Sequence, residues 1–212
     1  MTQLEEEKRA FAQRYHCVGL AITNRSDIAV AARRAYQDTM PRTIASHGVI
    51  AAAEIDKLCS DLAEKISVYF EDDAPVSSGQ FDKRHKALCR DFLNDYNKLL
   101  ADHKLPEQAY GKAQKIVNMT FKYLYCFDDA CEHDAWFEYC HMPIDSTVAA
   151  WWKEKGITTC AISWTKLIKK EYLLFTNLAR RWCQAHPLSI DQGVSTRPLD
   201  FELVIWNKAN KI

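Results

Sequence analysis

Glycine and proline are scarce in this 212-residue chain, at six each, and formal net charge is absent, with 28 basic side chains against 28 acidic. Each scarcity excludes something. Few chain-breaking residues, no internal repeat and no low-complexity linker argue against collagen-like, disordered or solenoid architectures. Overall neutrality argues against a polycationic nucleic-acid binder. No stretch approaches the ~18 apolar residues of a membrane span. The N-terminal segment MTQLEEEKRAFAQRY is charged and lacks an apolar core, so no secretory signal is expected. The eight cysteines, at 17, 59, 89, 126, 131, 140, 160 and 183, stand singly among mostly apolar neighbours. Reduced thiols in a cytoplasmic protein are the expectation, most of them small core residues. Strong apolar/polar alternation is missing too, so no strand is expected.

What is present is helical periodicity. Hydrophobic residues make up 48% of the chain and charged residues 26%, ordinary values for a globular protein. The pattern predicts an all-α single domain over residues 1–212, a bundle of about eight helices. They are expected over 2–17, from an N-cap at Ser26 to about Thr39, over 46–71, 80–103 and 110–127, then from Asp145 to Lys155, and over 165–185 and 199–208. Residues 128–142 are expected to be irregular, with room for one helical turn. The neutral total is a sum of unlike parts. Residues 1–110 carry 15 basic and 17 acidic groups, 111–149 carry 3 and 6, and 150–212 carry 10 and 5.

The most specific local signal is Gly111-Lys-Ala-Gln-Lys115 followed by Met142-Pro-Ile-Asp145. Lys115 falls in the first turns of one helix. Asp145 stands at the N-cap of another, a common structural use of aspartate. Two helices side by side could bring amine and carboxylate together. A partly desolvated lysine is a nucleophile, and a nearby carboxylate can accept its proton and stabilise a cationic sugar-like transition state.

This arrangement resembles the helix–hairpin–helix DNA glycosylases, especially the 8-oxoguanine glycosylases and their divergent archaeal branch. The match covers mainly residues 105–152, with Lys115 and Pro143-Ile144-Asp145 as its motifs. The family's Leu-Pro-Gly-hydrophobic-Gly hairpin is reduced here to Leu105-Pro106 and Gly111. The resemblance implies a base-excision enzyme acting on double-stranded DNA with a damaged or modified base flipped from the stack, with β-lyase activity and no cofactor. Lys115 and Asp145 would be catalytic. Gln114, His141, Trp151, Trp152, Phe201 and Trp206 would contact substrate, with Glu202 beside them. Gly111, Lys112, Lys166, Lys169 and Lys170 would hold the DNA backbone, the last three sharing one helix face. A monomer is expected, because no surface stripe announces an interface.

Two other readings stand beside it. One is a non-catalytic helical module binding nucleic acid or protein. The other is a metal-dependent enzyme using Cys126, Cys131, His133, Cys140 and His141, although their spacing lacks a paired zinc pattern.

Overall fold

The computed structural model describes residues 3–40, 48–158, 163–190 and 193–210. Most of them are helical. The helices are α1 (Gln3–Arg14), α2 (Arg25–Thr39), α3 (Ala52–Glu71), α4 (Ser78–Asp102), α5 (Tyr110–Leu124), α6 (Asp134–Phe137), α7 (Ser146–Glu154), α8 (Lys169–Ala185) and α9 (Pro198–Asn210). Short 3-10 turns cover Ala130–His133 and Trp164–Lys166. No helix among the described residues is long and apolar enough to cross a membrane.

Local chemistry accounts for the boundaries. The N-cap of α2 is Asn24, whose side chain accepts from the Ser26 N–H at 3.0 Å, so the cap lies two residues before the expected Ser26. Ser77 caps α4. Asp145 caps α7, and Gly156 beyond its end takes a positive φ of 69°, a conformation glycine adopts without steric cost. Residues 41–47 lie outside the described residues, among them 46 and 47 where the third helix was expected to begin; residues 48–51 are not helical and α3 starts at Ala52.

Three expectations need correction. The span 128–142 holds more than the one turn expected, a 3-10 turn followed by α6. The helix expected over 165–185 is two pieces, because Leu167 and Ile168 are extended between the 3-10 turn and α8. Two short antiparallel strands, β1 (Leu188–Ile190) and β2 (Gly193–Ser195), pair Leu188 with Ser195. Three-residue strands are too short to show alternation in sequence.

One hydrophobic cluster draws side chains from all nine helices. Its axis is α5, which packs against α2, α4, α8 and the Trp164–Lys166 turn. All fifteen residues of α5 are buried, although it includes Lys112, Gln114, Lys115, Asn118 and Lys122. A helix buried on every side is ordinarily apolar all round. Here one face is a polar stripe enclosed by protein, and that stripe organises the site.

Candidate functional site

α5 carries three lysines and no acidic residue. Its lysines therefore find no carboxylate one turn away on their own helix, and any ionic partner must come from elsewhere in the fold. Lys115 Nζ reaches Asp145 Oδ2 at 2.6 Å, with 8% and 16% of the two side chains exposed. The second oxygen of Asp145, Oδ1, accepts the Val148 N–H at 2.9 Å. Burial opposes ionisation of Asp145. The Lys115 charge and hydrogen bond, the Val148 N–H and the field of Lys122 outweigh it and hold the carboxyl below its usual range.

Gln114 is fully buried and takes no open position for a ligand. Its amide bonds both backbone groups of Ile144, donating to the carbonyl at 3.1 Å and accepting from the N–H at 3.3 Å. It thereby clamps the residue before Asp145. Its role in this geometry is to hold the α7 N-terminus against α5, which corrects the expected substrate contact.

Two turns along α5, Lys122 meets Glu202 of α9 at 2.8 and 2.7 Å to its two oxygens, both side chains fully enclosed. The ammonium also lies 4.3 Å from the Phe11 ring centre and 4.7 Å from that of Trp206. Burial lowers the Lys122 pKa against the pull of Glu202, and burial raises that of Glu202 against the pull of Lys122. Lys115, Asp145, Lys122 and Glu202 influence one another electrostatically and form a buried four-charge array. Lys122 escaped sequence reasoning. The available signal was a lysine-bearing helix without a single acid.

His141 joins a second buried network. Its Nε2 meets Asp82 at 2.8 Å and its Nδ1 meets the Tyr172 hydroxyl at 2.5 Å. Tyr172 is also the acceptor for Asn118, whose amide nitrogen donates to Gln114 as well and whose Oδ1 accepts from His85 Nε2–H at 2.7 Å. Arg180 donates to Asp82 and to the Tyr139 carbonyl. Burial pushes the His141 pKa down to about 4, despite its bond to Asp82. His141 is thus enclosed and engaged by protein groups, in place of the expected substrate contact.

The aromatic candidates divide. Trp152 is a core residue at 1% exposure, its indole N–H directed at Met142 sulfur. Trp151 is half-buried against Trp182 and Phe201. Phe201 is buried, while half-buried Trp206 packs on Phe11, Tyr15 and Lys122. Trp151 and Trp206 keep exposed surface, whereas Trp152 lies too deep to stack on a base without moving.

The backbone-binding candidates also divide. Gly111 faces protein. A Cβ added there would stand 1.9 Å from the Trp164 carbonyl oxygen, and the Gly111 N–H donates to Leu167 O at 2.9 Å. Its amide is therefore spent inside the fold, which corrects its expected phosphate contact. Lys112 is buried beside it, and burial lowers its pKa. Lys166, Lys169 and Lys170 are exposed. They do not share one helix face, since Lys166 belongs to the separate 3-10 turn.

The metal-ligand set does not converge. Cys126 and Cys140 are buried, Cys131 is exposed, His133 bonds the Asp129 carbonyl, and His141 is engaged as above. Among the described residues no group of three or more His, Cys, Asp or Glu side chains is placed to hold a metal ion. Cys160 lies outside the described residues. A cleft of about 750 Å³ opens at the far end of α5, lined by Lys8, Tyr125, Arg197 and Asp200 among others, and reaches neither Lys115 nor Asp145. Comparison of the chain with protein-family models, curated proteins and solved structures found no match.

Proposed function

We propose that the chain is a DNA base-excision glycosylase with β-lyase activity, acting on a damaged or modified base in double-stranded DNA. The observation that carries this reading is the 2.6 Å contact between Lys115 Nζ and Asp145 Oδ2, two groups from different helices, partly screened from water. In this reading the target base leaves the stack, because its glycosidic bond is inaccessible in the duplex. Asp145 accepts a proton from Lys115. The freed amine attacks the sugar C1′, the C1′–N bond breaks, and the base departs with the electron pair. The departing base takes up the proton held by Asp145. An N–H proton of the attached amine then passes by way of the Asp145 carboxylate to the ring oxygen O4′, and ring opening gives an iminium on Lys115. The carboxylate next takes a C2′ proton as the 3′ phosphate leaves with the C3′–O electron pair, and water hydrolyses the iminium to release the enzyme. Asp145 also offsets the positive charge that develops on the sugar.

One observation favours the non-catalytic rival. Asp145 caps α7 while it pairs with Lys115, so a purely structural role would use the same contacts. Borohydride trapping separates the two. Duplexes each carrying one modified base are incubated with the protein and borohydride, and covalent adducts are resolved by gel. Wild type is expected to trap on at least one duplex, Lys115→Ala on none, and Asp145→Asn more slowly while keeping its cap. A trap that survives Lys115→Ala refutes the lysine assignment.

A further inference from the structure

A continuous chain of hydrogen bonds runs from a partly exposed carboxylate to the residue before Asp145. It starts at Asp82 of α4, whose Oδ1 meets His141 Nε2 at 2.8 Å and Arg180 at 2.8 Å. His141 Nδ1 meets the Tyr172 hydroxyl of α8 at 2.5 Å. Asn118 of α5 donates to that hydroxyl at 3.0 Å and to Gln114 Oε1 at 2.9 Å. Gln114 closes the chain on both backbone groups of Ile144. His141, Tyr172, Asn118 and Gln114 are each at most 1% exposed, so bulk water does not stand in for a missing partner.

Every link has a direction, and both ends set it. Burial opposes ionisation of Asp82, but His141 and Arg180 outweigh it. An ionised carboxylate only accepts, so the His141 proton sits on Nε2 and Nδ1 is left as an acceptor. At the other end the Ile144 N–H turns Gln114 Oε1 towards itself. The same oxygen takes the Asn118 amide N–H, which fixes Asn118. The Tyr172 hydroxyl between the two halves therefore accepts from Asn118 and donates to His141. His85 Nε2, 3.5 Å from the hydroxyl, is no alternative acceptor, because it already donates to Asn118 Oδ1. One arrangement of protons satisfies the whole chain, and a satisfied buried network is rigid.

The chain grips both ends of one segment. His141 ties its start to α4 and α8, and Gln114 ties Ile144 to α5. Asp145 follows directly, with Oδ1 on the Val148 N–H and Oδ2 on Lys115. We propose that His141 and Tyr172 are positioning residues for the Lys115–Asp145 pair: they complete the chain that holds residues 141–144 and so keep the Asp145 carboxylate against the Lys115 amine. The consequence for catalysis rests on the glycosylase reading, whereas the consequence for the placement of Asp145 does not.

The test uses the full chain as wild type, Tyr172→Phe, His141→Leu and His141→Asn. Phenylalanine keeps the ring and loses the hydroxyl. Asparagine restores an acceptor close to where Nδ1 stands, and leucine does not. Amide hydrogen exchange followed by NMR reads the placement, because Gln114 holds the Ile144 N–H and Asp145 holds the Val148 N–H. In Tyr172→Phe and His141→Leu both amides are expected to exchange about tenfold faster, the factor for roughly one buried hydrogen bond. That gain is counted beyond any change at Ile66 in the middle of α3, which reports opening of the whole fold. His141→Asn should recover most of the protection. On a duplex that traps, the saturating trap rate should fall about tenfold in the first two variants, while the duplex concentration at half-saturation stays at the wild-type value. Ile144 and Val148 rates that merely follow Ile66 overturn the proposal, as do equal rates in His141→Asn and His141→Leu. A wild-type trap rate in variants whose two amides have loosened overturns it as well. No trap in wild type sinks the enzyme reading alone, and the exchange pattern then decides the placement by itself.

Discussion

Replacing Gly111 with alanine separates two reasons for a glycine at the start of α5. A glycine kept for close approach of a phosphate would, when replaced, lose DNA affinity and leave stability alone. The structure gives a packing reason instead. An added Cβ would stand 1.9 Å from the Trp164 carbonyl oxygen and 3.1 Å from Leu167 Cβ. The obstructing atom is backbone, so relief needs a shift of more than about 1 Å in the 164–167 segment, because apolar atoms settle near 3.5 Å. Overpacking of this kind costs about 1–3 kcal/mol. The same shift strains the Gly111 N–H bond to Leu167 O, 2.9 Å long, whose loss costs about 0.5–1.5 kcal/mol. Alanine's better helix propensity returns about 0.5–1 kcal/mol. The net is a loss of about 2 kcal/mol. With a urea m-value of about 2 kcal/mol/M, the unfolding midpoint falls by about 1 M. Gly79→Ala is the control, since its Cβ would meet only Ser77 Oγ at 3.9 Å, and it should unfold at or slightly above the wild-type midpoint. A Gly111→Ala protein with the wild-type midpoint would refute the packing argument and reopen the phosphate role.

Two further outcomes follow from buried charge. Lys122→Met leaves Glu202 without its partner in an enclosed site, and Glu202→Leu does the same to Lys122, so each single change should cost about 3–5 kcal/mol. The double change removes both charges and should recover most of that loss in urea unfolding. A double variant as unstable as the worse single would show that the pair stabilises the fold outright. The second outcome concerns pH. Burial holds His141 near a pKa of 4 against an ordinary 6.5, so the unfolded chain binds more protons between those values. Stability should therefore be full above pH 6.5 and fall by as much as about 3 kcal/mol on acidification towards pH 4. His85 is displaced in the same direction, by burial first and then by the neighbouring His141. Asp145 acts at lower pH, since its depressed carboxyl contributes stability above the ordinary carboxylate range and loses it as pH falls through the folded value. A urea midpoint that stays flat from pH 7 to 4.5 would contradict the neutral, enclosed His141.

The helical class and the approach of Lys115 to Asp145 were legible because each leaves a local mark. Periodic apolar residues report a helix face, and an aspartate after Pro143-Ile144 reports a cap. What was illegible depended on contacts distant in sequence. Gln114 looks like a polar residue near a reactive lysine, yet its amide is consumed by the Ile144 backbone 30 residues away. Gly111 looks like a hairpin glycine, yet the atom that demands it belongs to Trp164. Lys122 looks like a solvated helix lysine until α9 delivers Glu202, 80 residues on. Periodicity shows that α5 has a polar face, but not that α7, α8 and α9 close over it.

That enclosure bears on whether a structural cap and a chemical role exclude each other at Asp145. A free carboxylate rotates about its terminal torsion and must be ordered, at an entropic cost, before it can accept a proton. Here Oδ1 is held by the Val148 N–H, which leaves Oδ2 directed at Lys115. Gln114 fixes the preceding backbone from the same helix that carries Lys115, so amine and carboxylate are referenced to one element. In the proposed reaction the cap would orient the proton acceptor, so capping α7 and accepting a proton are compatible at Asp145. Lys122 favours the charged form of Asp145 without touching the pair, which lowers its basicity towards Lys115 but suits a carboxylate that would face a developing sugar cation.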